Sequence, residues 1–147
     1  MPKPAPALLD PANYPFHTHV RTRFGDLDPN RHINNVAIIS FFETGRLEFI
    51  RSLDLKWVKD SLTMVVAIYT DYLAETNFPG DIAIHVGTLE LGRSSWTLGT
   101  LAVQDGIPGA FCRATLAGVH DGKAMPLDDA WRTALDAARI RGMESGA

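Results

Sequence analysis

One segment restricts the fold more than any other. From about residue 35 to residue 52 the chain is patterned as a helix that is apolar nearly all the way round. Ile38, Ile39, Phe41, Phe42, Leu47, Phe49 and Ile50 occupy most of its circumference, and Glu43, Arg46, Glu48 and Arg51 form the only polar seam. A helix without a wide polar face must be covered on nearly every side. Asn34 or Asn35 stands where a side-chain oxygen can accept from an orphan amide of the first turn. Spacings of three residues link Glu43 to Arg46 and Glu48 to Arg51, which predicts two local ion pairs.

The remaining chain supplies the cover. Phe16, Thr18, Val20, Thr22 and Phe24 alternate with His17, His19, Arg21 and Arg23, the pattern of a half-buried strand. Four further strand-like runs follow the helix, at about 64–75, 81–91, 95–105 and 110–120, separated by Gly- and Pro-containing turns. Short connections make the neighbouring strands antiparallel. The apolar parity of the second run slips near Gly87, which predicts a bulge. Runs of this length, at roughly 3.3 Å per residue, are long enough to curl around a helix. Residues 126–140 read as a terminal surface helix with Pro126 near its start and Asp128 and Asp129 in its first turn. Five prolines between positions 2 and 15 predict an extended arm. The expected organisation is an arm over 1–15, one domain over 16–140 and a tail over 141–147. The fold class is α+β: a curled five-stranded antiparallel sheet wrapped around a long central helix, plus a C-terminal helix. This arrangement fits the hotdog architecture, although other α+β sandwiches fit the same pattern.

Composition narrows the functional classes. A net charge of −3 argues against a nucleic-acid binder, which needs a basic stripe. No apolar run reaches the length of a membrane span, and the proline-rich start lacks the apolar core of a signal peptide. Cys112 is the only cysteine, which suits a reducing, cytoplasmic setting and predicts an inert core thiol. The five histidines contain no His-x-x-x-His pair, so no metal is expected.

The chemistry concentrates in the loop from Arg23 to Asn35, which carries Asp26 and Asp28 directly into the N-terminus of the apolar helix. Such acid-rich loops commonly serve as caps and turns. The unpaired amides of a helix N-terminus also suit the oxygen of a polarised carbonyl. A carboxylate beside them can then attack the carbonyl carbon or activate water there.

The segment Phe24-Gly25-Asp26-Leu27-Asp28…Arg31-His32-Ile33-Asn34-Asn35 resembles the signature of the 4-hydroxybenzoyl-coenzyme A thioesterase family. The similarity continues through Phe42-Glu43-Thr44-Gly45-Arg46 and Leu91-Gly92-Arg93-Ser94-Ser95, and covers about residues 16–128. It implies hydrolysis of acyl-coenzyme A thioesters in a hotdog fold, with no cofactor, since coenzyme A is part of the substrate. Asp28 matches the family's catalytic carboxylate, as nucleophile or general base. The backbone amide of Asn35 matches the donor that polarises the thioester carbonyl. Arg93, Ser94 and Ser95 fall where the family contacts coenzyme A, and His32 is a candidate ligand contact. The family's usual glycine before the histidine is Arg31 here, which predicts an altered turn and an added cation. The resemblance also implies a homodimer or homotetramer, which would cover otherwise exposed strand edges.

Other residues receive blander readings. Asp26 is expected to brace the loop, Glu43 to pair with Arg46 although some hotdog thioesterases use a helix glutamate, and Trp96 and Trp131 to pack the core or an interface. Arg21, Arg23, Arg113 and Lys123 read as surface charges. Phe41, Phe42, Tyr69, Tyr72 and Phe78 would suit an aromatic or a medium aliphatic acyl group. Two other functions are compatible with the pattern. Hotdog hydratases carry a similar Gly-Asp motif, but here His32 arrives one residue late and Arg31 takes its place. A non-catalytic acyl-CoA binding module would need no carboxylate at position 28.

Overall fold

The computed structural model describes residues 3–56 and 58–143. Strand β1 (Phe16–Arg21) leads through a turn and loop into helix α1 (Asn35–Ser52). The chain continues with β2 (Ser61–Tyr72), β3 (Asp81–Leu91), β4 (Ser95–Gln104), β5 (Ile107–His120), the two-residue β6 (Lys123–Ala124) and helix α2 (Asp129–Ala137). All pairings are antiparallel in the order β1-β3-β4-β5-β2, with β6 on β5. The expected curled sheet around a central helix is present. Its long strands carry register shifts at Thr88/Glu90 in β3, one residue beyond the parity slip at Gly87, and at Val65/Ala67 in β2.

Helix α1 buries Phe42 and Phe49 against Ile82, Ile84, Val86, Trp96 and Leu98 of the sheet. The approach is close enough that a Cβ on Gly45 would run into the Ile84 side chain. Trp96 and Trp131 pack within this core with ring centroids 5.7 Å apart. Cys112 is fully buried there, and burial raises its thiol pKa, consistent with an inert core role.

Two expectations about the chain ends are corrected. The proline arm is not simply extended. Pro6–Leu9 and Pro11–Asn13 form single 3-10 turns, because proline at the start of a turn gives up no needed donor. The arm then buries Leu8 and Tyr14 against Leu101, Val103, Phe111 and Ile140 on the sheet face opposite α1. The terminal helix is shorter than 126–140: Asp128 caps it by accepting from the Trp131 amide at 2.8 Å, and it ends at Ala137. Residues 144–147 of the expected tail lie outside the described residues.

Neither helical ion pair forms among the described residues. Arg46 points to the buried side of α1 and is 4% exposed, while Glu43 faces solvent. Glu48 instead accepts from the Thr18 hydroxyl of β1 at 2.6 Å. Burial lowers the Arg46 pKa, and its Nη1 has no hydrogen-bond partner.

Candidate active site

The loop after β1 is built around Asp26. The residue is 3% exposed, and its side chain accepts from the Arg23 amide at 2.8 Å and the Arg23 guanidinium at 3.0 Å. Its carbonyl takes the backbone amide of Asn34 at 2.8 Å and the Asn34 side chain at 2.9 Å. Asp26 thus ties the end of β1 to the start of α1. Arg23, read from sequence as an ordinary surface charge, is half of this brace, and the carboxylate raises its pKa.

Asp28 sits two residues further, where the chain turns back on itself. Its amide donates to the His32 carbonyl at 2.8 Å, and its Oδ1 accepts from the amides of Asn30 at 2.8 Å and His32 at 3.1 Å. These bonds fix the carboxylate through one oxygen. The other, Oδ2, has no protein partner among the described residues. The turn is closed by Arg31 at φ 65, the left-handed region that favours glycine. The turn is thus left-handed without a glycine, and the Arg31 side chain is exposed.

Asn34, rather than Asn35, is the N-cap of α1. Its side chain accepts from the Ala37 amide at 2.7 Å, and its carbonyl accepts from Ile38 at 3.2 Å. The amides of Asn35 and Val36 precede the first intrahelical bond and have no partner within the helix. Here the positive end of the helix dipole is felt most strongly.

Asp28, His32, Ile33, Asn35 and Ile38 line a cleft of about 480 Å³. The opposite wall is Tyr72, Leu73, Ala74, Glu75, Thr76 and Gly109, from the end of β2 and the start of β5. This wall comes to the loop through tertiary contact: the Ile33 amide donates to the Thr76 carbonyl at 2.9 Å, and the Tyr72 hydroxyl to the Asn35 carbonyl at 3.3 Å. His32 Nε2 lies 2.9 Å from Glu75 Oε2. Sequence reasoning missed Leu73, Glu75, Thr76 and Gly109, and nothing local marks them. They reach the site only because β2 and β5 end beside the loop.

The structure brings Asp28, His32 and Asn35 together as lining of one cleft. It does not bring Arg93, Ser94 and Ser95 to them within one chain. That triplet forms the β3–β4 turn, closed by the Gly92 amide on the Ser95 carbonyl at 2.7 Å. The cleft lies at the end of the sheet marked by Tyr72 and Gly109, and β4 spans the distance between the two ends. Ten residues of strand put the turn on the order of 30 Å away. Arg93 is exposed there, beside Met125–Asp128, and its carbonyl accepts from the Leu127 amide at 2.9 Å. Glu43, the alternative helix carboxylate, is exposed and does not line the cleft.

Residues 22–135 match the family model described as the thioesterase-like superfamily. Among curated proteins the chain is similar to YsmA of Bacillus subtilis, uncharacterized, with 31% identity over 87 residues. The matched stretch is 58% of this chain and 59% of that protein, so the chain spans about three fifths of that relative. Among solved structures it is similar to a Thermus thermophilus thioesterase complexed with coenzyme A and Zn. The identity is 29%, the coverage 88% of this chain and 98% of that one, and the TM-score 0.78. It shares its fold with the PA5185 protein of Pseudomonas aeruginosa, at 24% identity, 90% and 96% coverage and TM-score 0.78. The DHNA-CoA thioesterase of Staphylococcus aureus has the same fold at 16% identity, 82% and 88% coverage and TM-score 0.75.

Proposed function

Because the chain belongs to the thioesterase-like superfamily, we propose that it hydrolyses acyl-coenzyme A thioesters with Asp28 as its catalytic carboxylate. The observation that carries this reading is the geometry of Asp28: one oxygen is held by two backbone amides, while the other stands without a protein partner in the cleft at the N-terminus of α1. In this reading the thioester carbonyl oxygen is held by the Asn35 amide and the helix dipole, which stabilise the negative charge that develops there. Asp28 then attacks the carbonyl carbon or deprotonates a water that does so. Coenzyme A leaves as a thiolate, a good leaving group, so the mechanism needs no metal and no cofactor. His32, held against Glu75, contacts the ligand at the mouth of the cleft. Tyr72 and Ile38 line the side on which an acyl group of aromatic or medium aliphatic type would lie.

The reading requires a homodimer. Strand β2 is an edge of the sheet, and it exposes Leu62, Met64, Val65, Val66 and Ile68, with Val66 60% exposed. Val36 and Leu47 of α1 are exposed as well. Unpaired strands of this length and polarity call for a partner edge. Antiparallel pairing of β2 with its copy about a two-fold sets the Tyr72 end of one chain beside the Ser61 end of the other. The partner's β3–β4 turn is at that Ser61 end, so Arg93, Ser94 and Ser95 would meet coenzyme A across the interface, with Arg93 on a phosphate. No helix among the described residues is long and apolar enough to cross a membrane. With a single buried thiol, the enzyme suits the cytoplasm.

Release of free thiol from a panel of acyl-CoA substrates tests the activity. A hydratase would leave the thioester intact, and a binding module would bind without releasing thiol. Mixing Asp28→Asn and Arg93→Ala chains tests the assembly. Each mixed dimer should contain one site with both residues intact, so activity should exceed that of either variant alone. Activity no higher than the sum of the separate variants would remove the cross-chain site, as would a stable, active monomer by light scattering.

A further inference from the structure

The β3–β4 turn is held by its carbonyls. Arg132, near the start of α2, reaches across to it: its Nη2 donates to the Gly92 carbonyl at 2.8 Å, with the Arg93 carbonyl at 3.4 Å. The Arg93 carbonyl also accepts from the Leu127 amide at 2.9 Å, the Ser94 carbonyl from the Gly118 amide at 3.0 Å, and the Ser95 carbonyl from the Gly92 amide at 2.7 Å. Every carbonyl from Gly92 to Ser95 therefore has a donor. The donors of the turn itself are left over. Neither the Arg93 amide nor the Ser94 amide has an acceptor among the described residues, and the exposed Arg93 guanidinium has no ion-pair partner there. Arg132 gains nothing from its own helix, because a cation at this end opposes the dipole. It makes no ion pair among the described residues, and the bonds of its side chain all go to the turn.

We propose that Arg132 is a positioning residue for coenzyme A: by holding the Gly92 and Arg93 carbonyls inward, it keeps the Arg93 and Ser94 amides, with the Arg93 side chain, directed at a phosphate. The inference rests on the reading above, in which this turn meets coenzyme A at the partner's cleft. A trans peptide unit is planar, and its C=O and N–H point in opposite directions. The Gly92 carbonyl shares a unit with the Arg93 amide, and the Arg93 carbonyl shares one with the Ser94 amide. The two carbonyls that Arg132 approaches therefore belong to the same two units whose amides are free. The Gly92 carbonyl has no other donor among the described residues, whereas the Arg93 carbonyl is also held by Leu127. Glycine resists rotation about its own dihedrals less than any other residue, so without Arg132 the Gly92–Arg93 unit is free to turn over. Its carbonyl would then face the ligand. A phosphate carries acceptors and negative charge, so an amide or guanidinium turned toward it attracts and a carbonyl oxygen repels. Arg132 acts through the turn, and its contribution depends on the groups that the turn presents.

Calorimetry with coenzyme A, dephospho-coenzyme A and pantetheine as ligands tests this without turnover, so the result stands apart from whether the protein hydrolyses thioesters. Arg132→Ala should weaken coenzyme A binding roughly three- to tenfold, the scale of one lost hydrogen-bonded contact. Pantetheine, which has no phosphate, should bind as it does to the wild type. Dephospho-coenzyme A keeps the pyrophosphate and lacks the 3′-phosphate. A matching loss on it assigns the turn to the pyrophosphate, and no loss on it assigns the turn to the 3′-phosphate. In the Arg93→Ala/Arg132→Ala protein the combined loss should be smaller than the product of the two single losses, because residues that act through one contact are not additive. Circular dichroism verifies that each variant is folded, and Arg132→Gln, which keeps an amide donor, replaces Arg132→Ala if the latter does not fold. The proposal is overturned if folded Arg132→Ala binds coenzyme A as tightly as the wild type, or if it loses coenzyme A and pantetheine in equal measure. Losses that multiply in full in the double variant overturn it as well, since Arg132 would then act as an independent charge.

Discussion

Replacing each loop aspartate by asparagine separates chemistry from architecture. Asp28 uses only Oδ1 in the fold, accepting from two backbone amides, while Oδ2 has no donor against it. Asparagine at position 28 can keep its carbonyl on those amides and turn its NH₂ toward the cleft, so no donor meets a donor. The loss is the charge assistance of two bonds, about 1–2 kcal/mol of stability at most. Catalysis should suffer far more, because the carboxylate that attacks or deprotonates is gone. Turnover should fall by at least ~10²-fold, or about 2.7 kcal/mol of barrier. Asp26 differs because both its oxygens are occupied, Oδ2 by the Arg23 amide and Oδ1 by the Arg23 guanidinium, in a buried position. An asparagine there must set its NH₂ against one of those donors. The resulting unsatisfied group and weakened pair should cost about 2–4 kcal/mol, a Tm drop of roughly 5–15 °C for a chain of this size. Thiol-release kinetics with a saturating acyl-CoA, alongside thermal unfolding followed by circular dichroism, reads both quantities. The reasoning is refuted if Asp28→Asn keeps near wild-type turnover, or if both variants lose activity and stability in the same proportion.

Arg93→Ala should raise KM for acyl-CoA several-fold, since a lost charge-assisted contact is about 1–2 kcal/mol. Short N-acetylcysteamine thioesters, which lack the nucleotide, should be hydrolysed nearly as before; equal losses on both would assign Arg93 to the fold. Arg31→Gly should stabilise the protein by about 1 kcal/mol in urea unfolding, because the native φ of 65 is strained for arginine and free for glycine. An unchanged or lowered midpoint would contradict this. Acid stability should carry the signature of His85, whose pKa lies near 4 through partial burial and then the neighbouring His17 and His19. Between pH 6.5 and 4 the unfolded chain binds more protons at this residue than the folded one, so stability falls as pH drops through that window. His85→Gln should flatten that slope, seen as a smaller change in urea midpoint between pH 7 and pH 4.5.

Much of the fold was legible in the sequence because its signals are local. The all-round apolar pattern of 35–52 demands a buried helix, and the alternating runs with short turns demand antiparallel strands; these two requirements together leave few solutions. The Asp26–Asp28 loop was legible for the same reason, since its brace, its turn and the Asn34 cap are bonds within a dozen residues. The proline arm was misread because proline content reports backbone freedom, while Leu8 and Tyr14 have no periodic neighbours to reveal what they bury against.

The sequence by itself determined the class of fold, the loop that carries the candidate carboxylate and the helix end that faces it. Tertiary structure alone decided which residues oppose them. Glu75 and Thr76 are more than forty residues from Asp28 in the chain, and only the end of β2 beside the loop makes them one wall of the cleft. It decided that Arg46 is buried while Glu43 is exposed, because the rotation of α1 about its axis is set by packing against the sheet and outweighs an exposed ion pair worth a fraction of a kcal/mol. It also decided that Arg93 stands at the far end of the sheet from Asp28, and that His85 lies across from His17. Register and strand order bring together groups with no fixed separation in the chain, so no spacing rule read along the sequence can find them.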